Sequence, residues 1–271
     1  MEGGGLRYLK HACAFGVTLL LWAYFLFGYL VLLPVFFLPY VVANRSAAAA
    51  FQKLNHLHLR NFFGLVRIFI PRTDFDIAPE IRSLRASILV CNHVSYLDPI
   101  LLVSLYARQT TIVKSTFFRV PIFGWFLKKA GYIPSSPDEM TGAAMIANLE
   151  SIKAHLAAGG NLFVFPEGTR SRDGRVGDFN RGVFSIARYC NQDVHLLMIR
   201  NTDGLFRPGA FTFNVFEPRT IAMDYLGRFK TAQGDDGQSV GAMAAQAQAI
   251  FERETARGRL RTQTEEPACD N

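Results

Sequence analysis

The chain has 271 residues, of which 50% are hydrophobic and 19% charged, a mixture that excludes a disordered chain, a collagen-like repeat and a disulfide-dense secreted scaffold. Its 29 lysines and arginines outnumber 22 acidic residues for a net charge of +7, and 24 phenylalanines accompany that charge. The charge alone suits nucleic acid, anionic lipid or a phosphorylated substrate, and the aromatic load leans toward lipid. Cys13, Cys91, Cys190 and Cys269 stand far apart, with no CxxC pair and no zinc-ligand spacing, which fits a reduced, cytosol-facing domain.

Residues 12–44 form a run of 33 without a single Asp, Glu, Lys, Arg or His. About 20 apolar residues cross roughly 30 Å of hydrocarbon, whereas one straight helix of this length would reach about 50 Å. Pro34 and Pro39 are placed to kink the run or to fold it into a hairpin, so an N-terminal membrane helix or helical hairpin is expected. The run is also too long for the apolar region of a cleaved leader. Arg45, Lys53, Arg60, Arg67 and Arg72 follow it before the next acidic residue, Asp74, against only Arg7 and Lys10 ahead of it. The positive-inside bias then places the protein in the inner membrane with its C-terminal part facing the cytoplasm.

Lys53, Arg60 and Arg67 recur every seven residues, and Phe51, Leu54, Phe62, Leu65 and Phe69 fall on another helical face. The pattern fits an amphipathic helix lying on an anionic membrane, and equally a helix packed on the domain with a solvated basic edge. His56 and His58 point to different helix faces, which argues against a metal site there.

From Thr73 onward, short apolar runs at 87–91, 111–113, 161–165 and 194–199 alternate with helix-like stretches at 97–106, 122–130, 139–158 and 180–189. Fully apolar strands separated by helices predict an α/β domain, a mixed sheet flanked by helices on both faces. Residues 211–216 and 220–225 read as two late strands and 243–257 as a closing helix. The expected organisation is an anchoring segment with its amphipathic helix over 1–72, an α/β domain over 73–260 and a polar tail over 261–271.

The run at 87–91 leads straight into Asn92-His93-Val94-Ser95-Tyr96-Leu97-Asp98-Pro99. A His and an Asp five apart diverge by about 140° on a continuous helix, so they meet only if the backbone turns between them. His93 then ends a strand, and Asp98 lies in a helix's first turn, where Pro99 is tolerated. In that geometry Asp98 accepts a hydrogen bond from one ring nitrogen and leaves the other free as a base. The run at 161–165 leads into Phe165-Pro166-Glu167-Gly168-Thr169-Arg170-Ser171. A glycine turn at a strand end lets backbone amides approach a ligand, Arg170 offers a planar fork for phosphate oxygens, and Glu167 is placed to fix that arginine or to meet a polar head group. The spacing is not that of a Walker loop. Residues 114–133 (KSTFFRVPIFGWFLKKAGYI) carry an apolar patch interrupted by Lys128 and Lys129; it is read either as facing lipid or an acyl groove, or as helix core.

Asn92-His93 with Asp98, the complete 165–171 heptapeptide, Lys114 with Pro121, Gly124 and Gly131, and Phe179-Asn180-Arg181-Gly182 together resemble the blocks of the 1-acylglycerol-3-phosphate acyltransferases, the glycerolipid acyltransferase family. The resemblance covers roughly residues 73–198. It implies transfer of an acyl chain from acyl-CoA or acyl-carrier protein to the free hydroxyl of 1-acylglycerol-3-phosphate or a related lysolipid. It implies His93 as general base, Asp98 as its orienting partner, and Glu167, Gly168, Thr169 and Arg170, with Lys114 and Arg181, as substrate-binding residues. Membrane lipid is the implied setting; no cofactor beyond the acyl donor, no metal and no nucleic acid are expected. Where many relatives carry an arginine after the position of Ile133, this chain has Pro134-Ser135-Ser136, which leaves a phosphate-free, amino-acid-based acceptor open. His195 is expected to be a structural strand histidine. A covalent hydrolase built on Ser95 lacks a G-x-S-x-G elbow, a nucleic-acid binder lacks any recognised motif, and a non-catalytic lipid-binding protein would have no use for an intact His93, Asp98, Glu167 and Arg170.

Overall fold

The computed structural model describes residues 4–32, 47–121, 123–135, 142–171, 173–231 and 238–265. Pro34, Pro39, Arg45 and Cys269, and with them the hairpin reading and most of the expected tail, lie outside these residues.

Among the described residues, two helices, α1 (Gly4–Leu32) and α2 (Ala47–Phe69), precede the sheet. Within α1, Gly5–Gly28 is long and apolar enough to cross a membrane, and Leu9, Phe15, Leu26 and Phe27 along it are exposed. Its other side is fastened to the domain. Thr18 and Leu21 are fully buried, the Phe213 amide donates to the Thr18 hydroxyl at 3.0 Å, and the Trp22 indole donates to the Phe211 carbonyl at 3.2 Å. Helix α2 turns Phe51, Leu54, Phe62 and Val66 inward and leaves Lys53, Arg60 and Arg67 exposed. Most of its apolar face is therefore covered by the domain and α1, while Phe69 is exposed and the basic edge is solvated. His58 stacks on Tyr24 at 4.7 Å between ring centroids, while His56 Nδ1 lies 3.3 Å from the Val103 carbonyl; the two histidines face apart.

Seven strands follow: β1 (Thr73–Ile77), β2 (Ile88–Cys91), β3 (Gln109–Lys114), β4 (Ile133–Ser135), β5 (Asn161–Val164), β6 (Val194–Arg200) and β7 (Arg219–Phe229). Their order is β1-β7-β6-β2-β5-β3-β4. All neighbours are parallel except the antiparallel β6–β7 pair, so the sheet is mixed. Between the strands lie α3 (Pro79–Ser83), α4 (Leu97–Leu105), α5 (Phe123–Lys129), α6 (Gly142–Ala157), α7 (Gly182–Cys190), the short α8 (Thr202–Leu205) and, last, α9 (Val240–Glu265). Strand side chains alternate between faces, and the two cores follow that alternation. Leu89, Cys91, Leu197 and Ile199 meet α2 and α4 on one side; Ile88, Val90, Leu196 and Met198 meet α6, α7 and α9 on the other. Each such aliphatic side chain contributes about 1.5–3 kcal/mol by leaving water.

Residues 211–216 are not a strand. The amide of Phe213 goes to Thr18 and that of Asn214 to the Leu205 carbonyl at 2.9 Å, so this stretch spends its backbone on α1 and α8, and its two-residue alternation serves to bury Phe213 and Val215. The apolar patch of 114–133 divides: Phe126 and Leu127 pack on Phe51 and Tyr132, while Phe117, Phe123 and Trp125 are exposed.

Asn161 ties the start of β5 to the segment entering β2. Its Oδ1 accepts from the Ser87 amide at 3.1 Å and its Nδ2 donates to the Leu84 carbonyl at 2.9 Å, in full burial. Asn161→Ala removes the acceptor of the Ser87 amide and one of two donors to the Leu84 carbonyl, which keeps Arg85 Nη1 at 2.6 Å, and is expected to cost about 1–3 kcal/mol, read by denaturation of the full chain in detergent. A loss well under 1 kcal/mol, roughly the net worth of one hydrogen bond, would contradict the tie.

Candidate active site

The β2–β6 ladder ends with Cys91 opposite Leu197, and the Asn92 side chain adds a further rung. Its Oδ1 accepts from the Ile199 amide at 2.7 Å and its Nδ2 donates to the Ile199 carbonyl at 2.9 Å. With the side chain doing the pairing, the backbone is free to bend, and α4 begins at Leu97.

Asp98, in the first turn of α4, is fully buried. Its Oδ2 accepts from the amides of Val94 and Ser95, each at 2.7 Å, and from His93 Nδ1 at 2.9 Å. Its Oδ1 accepts from the Thr202 hydroxyl at the start of α8. A carboxylate only accepts, so Nδ1 carries the ring proton and Nε2 is left bare. The His93 side chain is 17% exposed and stacks on Phe165, with centroids 4.3 Å apart. Among the described residues nothing hydrogen-bonds to Nε2. Ser95 is buried, and its Oγ accepts from the Leu97 amide at 3.2 Å; it shapes the turn and does not face the imidazole as a nucleophile would.

The heptapeptide leaves β5, the strand beside β2. Gly168 adopts φ +67°, a conformation open to glycine, and its amide closes the turn on the Phe165 carbonyl at 3.0 Å. Glu167 was expected to hold Arg170 or a ligand; instead its Oε1 accepts from the His93 amide and its Oε2 from the Gly177 amide, each at 3.0 Å. Burial pushes its carboxyl up from the usual range, and the two amides pull it back. The Ser171 amide donates to the His93 carbonyl at 2.8 Å, so the two loops are laced through the backbone of His93 itself.

Arg170 lies with its guanidinium carbon 4.1 Å over the Tyr96 ring. Its Nε and Nη1 are buried without a hydrogen-bond acceptor among the described residues. Buried donors of this kind normally have a partner, and an anion entering beside His93 would supply one. Gly168 and Thr169 are exposed at the same turn. Lys114 is exposed at the end of β3, two strands from β2, or roughly 10 Å by strand spacing. Arg181 goes elsewhere: it sits at the N-cap of α7 with its guanidinium against Gly241 at the start of α9. His195 lies within β6 opposite Leu89, with Nδ1 3.0 Å from the Tyr225 hydroxyl, and burial lowers its pKa.

Sequence reading missed three contributors. Thr202 is 104 residues from Asp98, and no local pattern announces their contact. The stacking of Tyr96 could have been suspected from an exposed aromatic at a helix start. Asn92 stood in the motif without a role. Thr202→Val keeps the shape and removes one donor from a buried carboxylate, and is expected to cost about 1–3 kcal/mol in a melt of the full chain. An unchanged melt would show that the contact is not a hydrogen bond that matters.

Residues 74–199 match the acyltransferase family model. The chloroplast 1-acyl-sn-glycerol-3-phosphate acyltransferase of Arabidopsis thaliana is 38% identical over 101 residues, covering 37% of this chain and 28% of that protein. The enzyme of that name from Saccharomyces cerevisiae is 24% identical over 185 residues, covering 63% of this chain and 60% of its own. This chain spans 28% and 35% of the length of the two chloroplast relatives from Arabidopsis thaliana and Brassica napus. The crystal structure of the 1-acyl-sn-glycerophosphate acyltransferase of Thermotoga maritima superposes with a TM-score of 0.63 at 22% identity, covering 89% of this chain and 96% of that one, and so shares the fold. Residues 74–199 thus match the acyltransferase family model and are similar to parts of the 1-acyl-sn-glycerol-3-phosphate acyltransferases.

Proposed function

We propose that the protein is a membrane-bound O-acyltransferase that moves an acyl chain from the thioester of acyl-CoA or acyl-carrier protein to the free hydroxyl of 1-acylglycerol-3-phosphate or a close relative. One observation carries this reading: an imidazole oriented by a buried carboxylate sits on a loop bonded through its own backbone to the turn of an arginine, two of whose buried donors lack an acceptor among the described residues.

The chemistry follows from that arrangement. The acceptor's phosphate meets Arg170, which sets the free hydroxyl against His93 Nε2. As Nε2 takes the hydroxyl proton, the oxygen forms a bond to the thioester carbonyl carbon, and the charge of the new imidazolium is balanced by Asp98. Collapse of the tetrahedral intermediate breaks the carbon–sulfur bond, and the proton passes from Nε2 to the departing thiolate. Ester and thiol leave, and His93 is neutral again. Positioning between the arginine and an acyl groove supplies much of the remaining acceleration. The apolar stretch of α1 and the exposed Phe117, Phe123 and Trp125 would hold the site at the bilayer surface where both lipids lie, with the domain facing the cytoplasm of an inner membrane. The masses of 1–72 and 73–260 then act as anchor and catalytic unit.

A second reading, an acceptor without phosphate, is supported by Pro134 and Ser135 in β4, which offer no cation where many relatives have one. Offering the full chain a panel of lysolipids with each thioester donor separates the two. His93→Ala is expected to lower acyl transfer by about 10²–10⁴-fold at unchanged expression. Arg170→Ala is expected to raise KM for the phosphorylated acceptor about tenfold or more, the worth of a charge-assisted contact. Near-normal turnover by His93→Ala would refute the base assignment. Use of phosphate-free acceptors alone would move the second reading into first place, and absence of thioester consumption by the intact chain would leave a lipid-binding protein.

A further inference from the structure

A basic cleft of about 820 Å³ opens beside α2. It lies between α2, α3, α4 and β1, with Tyr24 of α1 at its edge. It shares no residue with His93, Glu167 or Arg170. Leu101, Ser104 and Leu105 of α4 form part of its wall, roughly 5–10 Å along that helix from Asp98 by helical rise.

Its charge is one-sided. Arg60, Arg67 and Arg82 line it together with His56, and no Asp or Glu does among the described residues. Phe75 and Ile77 of β1 face the cleft, so by strand alternation Asp74 and Asp76 face the opposite side of the sheet. None of the three arginines has an acidic partner among the described residues; Arg67 only overlies the Phe75 ring at 4.7 Å. Like charges gathered in one cleft repel, and a shared anion relieves them.

The cleft also has a built gap. Gly64 stands between Arg60 and Arg67 on the same face of α2, within helix, and a Cβ there would meet nothing within 4 Å. No close approach requires glycine at that point, and glycine inside a helix is unfavourable. It leaves open the floor between two arginines about 10 Å apart by helical rise. The walls below are apolar, including Phe63 and Leu101, and the rim carries Ile68, 68% exposed. Tyr24 lies near the end of the Gly5–Gly28 stretch, the level of lipid head groups if α1 meets a bilayer as proposed above.

We propose that this cleft is a binding site for the phosphodiester head group of an anionic glycerophospholipid, held by Arg60, Arg67 and Arg82 over the gap at Gly64, separate from the acceptor site at Arg170. The head group supplies the missing anion, and the apolar rim receives the start of its acyl chains. A free phosphate or the phosphates of CoA share the anion's chemistry but not its apolar part.

The full chain in non-ionic detergent is titrated with short-chain phosphatidylglycerol, short-chain phosphatidylcholine, inorganic phosphate and CoA, and binding is followed calorimetrically. Phosphatidylglycerol is expected to bind wild type and Arg170→Gln alike, and the triple variant Arg60→Gln/Arg67→Gln/Arg82→Gln at least about tenfold more weakly, at roughly 1 kcal/mol per arginine near a lipid surface. Gly64→Leu, which fills the gap with a good helix former, is expected to show the same loss with unreduced thermal stability, so that misfolding cannot account for it. Both variants should keep acyl transfer in detergent, which separates this site from the proposed activity. Equal binding by wild type and both cleft variants would overturn the proposal. So would loss of binding in Arg170→Gln alone, or displacement of the lipid by inorganic phosphate or CoA at matching concentrations.

Discussion

The structure depends on one buried charge. Asp98 has no contact with solvent, yet it is held by four donors: the amides of Val94 and Ser95, the Thr202 hydroxyl and His93 Nδ1. A carboxylate in the interior is tolerable only when its oxygens are occupied in this way. The four donors answer three different demands of the fold. The two amides belong to the turn that joins β2 to α4, the hydroxyl comes from the turn after β6, and the imidazole is what remains to be placed. The same bonds that make the charge acceptable therefore aim the histidine. Because they consume Nδ1, they also decide which nitrogen faces outward.

The sheet explains why these pieces meet. Strands β6, β2 and β5 are adjacent and parallel, so their C-terminal ends lie along one edge, where α/β sheets place their ligands. The loop after β2 carries His93, that after β5 carries Arg170, and that after β6 carries Thr202. Asn92 and Glu167 then fasten the loops with side chains in place of ladder bonds. The result is a rim that carries one imidazole nitrogen and two guanidinium nitrogens without hydrogen-bond partners among the described residues.

Much of this was legible in the chain, and the limits were physical. The central strands announced themselves as wholly apolar runs because both of their faces are covered. The bend between His93 and Asp98 could be inferred because a continuous helix would separate them and Pro99 marks a first turn. By contrast, β1 hid behind Asp74 and Asp76, whose polar side faces away from the core, and residues 211–216 mimicked a strand because burying alternate side chains under α1 yields the same pattern. The bonds of Glu167 to the two loops were hidden for a similar reason. Its partners are backbone amides, one of them 74 residues away, and backbone amides leave no mark on a sequence. Arg181 fits the expected family block yet turns to the other helix layer, since a motif places a residue in a loop without aiming its side chain.

The two basic features of the molecule divide along the same line. Arg170 is half-buried and stacked on Tyr96, on a loop bonded to the backbone of His93, whereas Arg60, Arg67 and Arg82 are exposed around a gap between α2 and α3. Only Arg170 lies on a loop bonded to His93, and the proposed chemistry stands on the orientation of that imidazole. Nitrogen-15 spectra of histidine-labelled full-length protein in micelles, with the His93 signals identified through His93→Gln, measure that orientation directly. In the neutral ring we expect a proton on Nδ1 and none on Nε2, with this preference lost in Asp98→Asn. A proton on Nε2 in the wild type, or spectra that Asp98→Asn leaves unchanged, would contradict it.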